Sequence, residues 1–165
     1  MKRSTILCID DESTGLRLRK MLLESEGYSV LLAPSGHEGL VMLQSSGVEA
    51  VVLDYRMPEM CGDEVALEIR KRWPSIPIVL LSGYPQDVPE KMLNQVNAFV
   101  WKGGDPSDLL TAICSVLHQP APIHLVPSGD AAEDASYRFT SQSTKEPGRK
   151  RSAPKASAAG LRKQA

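Results

Sequence analysis

The sequence predicts an α/β protein whose core is a parallel β-sheet with helices on both faces. Up to about residue 118, short apolar, β-branched runs alternate with stretches whose apolar residues recur at helical spacing. The alternation repeats five times without interruption, and no longer internal repeat accompanies it. Because strands of a parallel sheet need helical crossovers between them, we expect five β-α units in a doubly wound (βα)5 arrangement.

The strands are expected at 5–10, 28–33, 50–54, 77–82 and 98–102. The first helix should cover 12–26, with Leu18, Met21 and Leu22 on one face. Gly27 should end it, because glycine readily adopts the left-handed backbone found after helix C-termini.

The later helices carry their own start and stop signals. A capping box at 35–38 opens the second, the third covers about 63–73 before Pro74, and a weaker fourth follows 87–89. Asp105 and Pro106 open the fifth, which runs to His118. Their inward positions share helical spacing: Leu40 and Leu43 in the second, Val65, Ala66, Ile69 and Trp73 in the third, and Leu109, Leu110, Ile113, Val116 and Leu117 in the fifth.

Composition divides the chain near residue 118. Residues 1–118 carry 11 Lys and Arg against 16 Asp and Glu, while residues 119–165 carry 8 against 4. The second part is rich in Pro, Ala, Ser and Gly and too poor in large apolar residues to offset the entropy of ordering. We therefore expect one domain, 1–118, followed by a disordered basic tail, 119–165.

The remaining composition indicates a cytoplasmic protein. Cys8, Cys61 and Cys114 lie 53 residues apart, which matches neither a zinc site nor a disulfide framework. The first residues run directly into a short apolar strand, without the longer apolar segment of a signal peptide or a membrane span. We expect no membrane partner.

Polar residues stand at four of the predicted strand ends: Asp10 with Asp11, Asp54, Ser82 and Lys102. Open parallel sheets bind ligands at the carboxyl ends of their strands, so these groups should converge. Clustered carboxylates need a cation or a raised pKa, and an oxygen-only cluster suits Mg²⁺. A carboxylate nucleophile, a hydroxyl donor and a cation match phosphoryl transfer, with Asp54 as the nucleophile.

These residues resemble the receiver domain of two-component response regulators. The resemblance covers 5–118 and includes the acidic pair Asp10–Asp11, the acceptor segment from Asp54 to Gly62, Ser82–Gly83 and Lys102. It implies a flavodoxin-like fold of strand order 2-1-3-4-5. It also implies that Asp54 accepts a phosphoryl group from a histidine kinase or a histidine phosphotransfer protein.

The same resemblance assigns further roles. Mg²⁺ would be held by Asp11, Asp54 and the Arg56 carbonyl, with Asp10 contributing directly or through water. Ser82 and Phe99 would form the switch pair that responds to phosphorylation. Arg56 and Tyr84 would flank the mouth of the site.

One position departs from the family pattern. Gly103 follows Lys102 where the family usually has proline, often with a cis bond, and we expect a trans bond here because a cis bond before a non-proline residue costs about 2.5–4 kcal/mol. The departure affects the placement of Lys102 and the rigidity of the next loop.

Two rival functions remain open. The chain could be a receiver-like docking module that does not use phosphate, or a phosphatase with an aspartyl nucleophile, although such hydrolases carry an acid where Arg56 stands. The 47 residues after His118 are too polar and aperiodic for a helix-turn-helix output domain, so we expect a stand-alone receiver that acts by contact with an unknown downstream protein. Nucleic-acid contact is conceivable only for the basic run at 148–155.

Overall fold

The computed structural model of the chain describes residues 3–45, 47–118 and 124–125. These residues lie in the first of two compact units, Met1–Ala135; the second, Ser136–Ala165, lies outside the described ranges, as does most of the predicted tail.

Strands and helices alternate along the described chain. The strands are β1 (Thr5–Ile9), β2 (Ser29–Ala33), β3 (Ala50–Asp54), β4 (Ile78–Ser82), β5 (Ala98–Trp101) and β6 (His124–Leu125). The helices are α1 (Ser13–Ser25), α2 (Gly36–Leu43), α3 (Gly62–Arg72), α4 (Glu90–Leu93) and α5 (Pro106–His118), with a 3-10 turn at Pro85–Asp87. The five predicted β-α units are confirmed, and α4 is a single turn.

All pairings in the sheet are parallel, in the order β2-β1-β3-β4-β5-β6. The predicted order 2-1-3-4-5 is therefore confirmed. The two-residue β6 pairs with Ala98 and Phe99 of β5. It lies in 119–165, the segment for which the sequence predicted only disorder. It adds hydrogen-bond partners to the edge of β5, where backbone groups would otherwise be unpaired.

The sheet separates two hydrophobic clusters, as a doubly wound fold requires. Alternate residues of each strand point to opposite faces. Leu7 and Leu53 pack on the side of α2, α3 and α4, while Cys8 and Val52 pack on the side of α1 and α5. This arrangement leaves only the strand ends available for polar chemistry.

The helix signals in the sequence have recognisable counterparts. Ser35 Oγ accepts from the Glu38 N–H at 3.2 Å, and Asp105 Oδ1 accepts from the Ser107 N–H at 2.7 Å. Gly27 has a φ of 89°, the left-handed conformation expected after α1.

The predicted inward face of α1 is wrong. Leu18 and Met21 are 62% and 69% exposed, whereas Leu16 and Leu23 are buried and Leu22 is half-buried. Helical spacing fits both alternatives, but the face that packs on the sheet includes Arg19, between Leu16 and Leu23. The face that packs on the sheet thus contains a charged residue, so the spacing of apolar residues alone does not identify it.

Candidate functional site

Three carboxylates meet at the carboxyl edge of β1 and β3. Asp10 and Asp11 directly follow β1, Asp54 is the last residue of β3, and the two strands pair in register with Ile9 beside Leu53. One carboxylate oxygen from each of the three residues lies within 4.8 Å of the others. Asp10 and Asp54 are buried and Asp11 is exposed, so the cluster opens to solvent on one side. Its oxygen-only donor set fits Mg²⁺.

Lys102 connects the cluster to the other half of the sheet. The residue follows β5, and its backbone N–H donates to the Ser82 carbonyl at 2.9 Å. Its Nζ lies 2.8 Å from Asp10 Oδ2 and 3.0 Å from Asp54 Oδ1. The ammonium thus offsets part of the repulsion between two buried carboxylates.

Burial controls the titration of Asp54. Desolvation raises the pKa of this carboxyl above its usual value, the hydrogen bond from Lys102 acts in the opposite direction, and the charge of Asp10 raises it further. A backbone hydrogen bond from Arg56 also favours the ionised form. Any cation that binds the cluster therefore stabilises the ionised Asp54 carboxylate that burial disfavours.

The predicted switch residues are both buried. Ser82 ends β4, is 1% exposed, and accepts a hydrogen bond at Oγ from the Tyr84 N–H at 3.1 Å. Phe99 is 8% exposed and packs in the cluster that also contains Met92 and Val96. In this structure Phe99 is a core residue.

Arg56 and Tyr84, which the resemblance places beside the mouth of the site, lie together. The Arg56 guanidinium lies 4.8 Å from the centroid of the Tyr84 ring and forms a salt bridge with Asp87. These contacts join the loop after β3 to the 3-10 turn after β4. All three side chains are at least partly exposed, so the contacts can open without disrupting the core.

The profile of the response regulator receiver domain family matches residues 6–114. The chain belongs to this family. The match contains the whole acidic cluster, Ser82 and Lys102.

Known receivers are similar in sequence and in structure. The transcriptional regulatory protein GlrR of Escherichia coli is 37% identical over 123 residues, which are 73% of this chain but 28% of GlrR. The CheY-like receiver from Methanospirillum hungatei is 29% identical with a TM-score of 0.66, covering 71% of this chain and 95% of that one. This chain thus spans little more than a quarter of GlrR.

Another similar receiver is TrrA of Thermotoga maritima, solved in complex with Mg²⁺-BeF. It is 33% identical with a TM-score of 0.64, covering 69% of this chain and 98% of that one. TrrA was also solved with the histidine kinase ThkA, in a structure that is 32% identical with a TM-score of 0.65 and the same coverage. The family is therefore one of signalling proteins. In the described part of this receiver, no helix is long and apolar enough to cross a membrane.

One cation of this receiver site, Arg19, is not identified by the sequence patterns. Its guanidinium forms a salt bridge with Asp10 Oδ2, the oxygen that also contacts Lys102. The available signal was positional: Arg19 stands three residues after Leu16 and four before Leu23, on the stripe that faces the sheet.

Trp101 was also missed, and it bears on the unusual Gly103. Trp101 pairs with Ser82 across β4 and β5, and its Nε1 donates to the Gly83 carbonyl at 3.3 Å. A Cβ at position 103 would lie 2.5 Å from Cζ2 of the indole. Glycine after the receiver lysine therefore makes room for Trp101. As expected, the described residues contain no cis peptide bond.

Proposed function

We propose that this receiver accepts a phosphoryl group on Asp54 and signals by a change in its protein contacts. The observation that carries the proposal is the position of Asp54, buried at the sheet edge, within reach of Asp10, Asp11 and the Lys102 ammonium. Asp10 is the other buried aspartate of the cluster, but its Oδ2 already contacts both Arg19 and Lys102, which favours Asp54 as the acceptor.

The proposed reaction is in-line transfer between two side chains. An Asp54 carboxylate oxygen attacks the phosphorus of a phosphohistidine, the P–N bond breaks as the P–O bond forms, and the imidazole leaves with the electron pair of the broken bond. Lys102 Nζ, now shared by Asp10 and Asp54, offsets charge on the transferred oxygens, and the Ser82 hydroxyl turns from the Tyr84 N–H to donate to one of them.

Asp11, Asp54 and the Arg56 carbonyl would hold Mg²⁺, with Asp10 contributing directly or through water. The ion would neutralise negative charge that gathers as the phosphoryl group approaches the carboxylates. The convergence of the three carboxylates supports this assignment, and so does the solvent-facing position of Asp11, which leaves room for bound water.

The proposed partners follow from the chemistry. The donor is a cytoplasmic histidine kinase or histidine phosphotransfer protein, and the receiver complex with a kinase reported for TrrA supports this class. The output is contact with a downstream protein, triggered when Ser82 is drawn towards the phosphoryl group and Phe99 repacks. An aspartyl phosphatase would carry an acid at position 56. This chain has Arg56 there, paired with Asp87, which disfavours the phosphatase alternative.

Phosphorylation can be tested by intact mass after incubation with acetyl phosphate or phosphoramidate, with Mg²⁺ or with EDTA. We expect a Mg²⁺-dependent gain of one phosphoryl group that is absent in Asp54→Asn. Asp63→Asn, which makes the same change of charge in the first turn of α3, is the matched control and should react normally. If neither small donors nor a phosphorylated histidine phosphotransfer protein modifies Asp54, the docking-module alternative replaces this proposal.

A further inference from the structure

Arg19 is an arginine built into the interior side of α1. Its side chain is 13% exposed, and its guanidinium contacts Asp10, whose side chain is 1% exposed. The Arg19 Nε is buried without a hydrogen-bond partner among the described residues. Long cationic side chains usually place their charged end in water, so this burial needs a specific reason.

Gly15 provides the space in which the guanidinium lies. A Cβ at position 15 would lie 3.0 Å from Arg19 Nη2 and 3.1 Å from Nη1. Gly15 stands within the first turn of α1, and glycine is a poor helix former compared with alanine. The helix therefore has a weak helix former at a position where a side chain would press on the Arg19 guanidinium.

Asp10 is fully engaged by protein donors. Its Oδ1 accepts from the Glu12 N–H at 2.7 Å, and its Oδ2 contacts both the Arg19 guanidinium and Lys102 Nζ. A metal ion that coordinated Asp10 would compete with two fixed cations for one carboxylate. Asp11 and Asp54 are the carboxylates of the cluster that Arg19 leaves available.

We propose that Arg19 is a positioning residue that acts as a built-in counter-cation of the acidic cluster, fixing Asp10 and weakening the binding of Mg²⁺. The inference rests on the proposed function in one respect, namely that Mg²⁺ is the ion bound by the cluster. Arg19 lets the metal-free site exist with less repulsion, and the same positive charge opposes the incoming ion. The site therefore binds Mg²⁺ less tightly than its three carboxylates alone would allow.

The test compares Arg19→Met with Arg17→Met, because both remove one positive charge from α1 and the Arg17 side chain is exposed. Mg²⁺ affinity is measured by isothermal titration calorimetry, with tryptophan fluorescence as a second probe. We expect Arg19→Met to bind Mg²⁺ about ten-fold more tightly, the size expected for one charge acting on a divalent ion through partly screened surroundings. Arg17→Met should stay within about two-fold of wild type, since its charge is screened by water.

A purely structural role of Arg19 would not raise the affinity for Mg²⁺ on its removal. If Arg19 only supports the fold, its loss disorders Asp10 and leaves Mg²⁺ affinity unchanged or lower, and either result overturns the proposal. Arg19→Lys keeps the charge and should retain most of the wild-type affinity. Should Arg19→Met fail to fold, Arg19→Gln provides the same test, because it removes the charge and keeps a hydrogen-bond donor: we expect tighter Mg²⁺ binding, and an unchanged affinity contradicts the proposal.

Failure of this inference can be separated from failure of the proposed phosphorylation. A wild-type protein that accepts no phosphoryl group but binds Mg²⁺ more tightly after Arg19→Met refutes the phosphorylation and supports the counter-cation. Normal phosphorylation of wild type, with no change of Mg²⁺ affinity in Arg19→Met, supports the phosphorylation and refutes the counter-cation. If neither wild type nor Arg19→Met binds Mg²⁺, the counter-cation proposal is wrong.

Discussion

Replacing Gly103 with alanine should destabilise this receiver because the new methyl group would occupy the place of the Trp101 indole. The backbone itself tolerates alanine, since Gly103 is not among the described residues with positive φ. The family's usual proline at this position also carries a Cβ, so a substitution towards the family pattern should be harmful here.

The geometry gives the size of the effect. The added Cβ would lie 2.5 Å from Trp101 Cζ2 and 2.7 Å from Cε2, whereas carbon atoms in good contact are about 3.5–4.0 Å apart. Overpacking of this kind costs about 1–3 kcal/mol. Trp101 is only partly buried and can move outwards, so we expect about 1–1.5 kcal/mol, including weakening of its bond to the Gly83 carbonyl.

A double-mutant cycle with Trp101→Val isolates the contact. Urea unfolding followed by circular dichroism gives the free energy of unfolding for all four proteins. In the Trp101→Val background the clash is absent, and alanine should stabilise by about 0.4–1 kcal/mol because it restricts the unfolded chain. The effect of Gly103→Ala should therefore change sign between the two backgrounds.

Equal destabilisation in both backgrounds would refute the reasoning, because it would place the cost in the backbone and not in the indole. Gly83→Ala is the matched control. A Cβ there has no neighbour within 4 Å, so we expect a neutral or slightly stabilising effect.

Three further predictions concern the site and its support. In EDTA, Asp54→Asn should become increasingly more stable than wild type as the pH rises above about 4, the pKa of Asp in an unfolded chain. Burial raises the pKa of Asp54 in the folded protein, so stability that is present below that pH is lost as the carboxyl ionises. A urea-midpoint difference independent of pH would contradict this. Arg70→Met should lower the free energy of unfolding in urea by about 2–4 kcal/mol, since Arg70 donates to the Ile76 carbonyl at 2.7 Å and to Asn97 Oδ1 at 2.6 Å. An effect no larger than that of Arg72→Met, at an exposed position, would refute this. In Gly62→Ala the added Cβ would lie 2.5 Å from the Asp54 carbonyl oxygen. The substitution should lower the free energy of unfolding by about 1–3 kcal/mol and slow phosphorylation by acetyl phosphate. Wild-type values of both quantities would contradict the prediction.

Most of the fold follows from the sequence because its strongest patterns are local. Strands buried on both faces must be short apolar runs, and polar residues immediately after them must lie at one edge of a parallel sheet. The sequence therefore predicts that Asp10, Asp54 and Lys102 converge, and the structure brings them together.

The remainder depended on contacts between distant or unexpected partners. The orientation of α1 differs from the prediction because the face that packs on the sheet contains Arg19, whose charge is neutralised by Asp10. The reason for Gly103 required the position of the Trp101 ring, which spacing alone does not give. Strand β6 is two residues long, too short for any periodicity to be visible.

The packing of Trp101 against Gly103 also restricts the order in which these two positions can change during divergence. A receiver with proline at position 103 cannot acquire tryptophan at 101 first without passing through the clash, whereas glycine at 103 admits tryptophan in a single further step. In the opposite direction, Trp101 must be replaced by a smaller residue before position 103 gains a side chain. Each position therefore sets which mutations the other can accept, and family resemblance at either one alone is a poor guide to fitness.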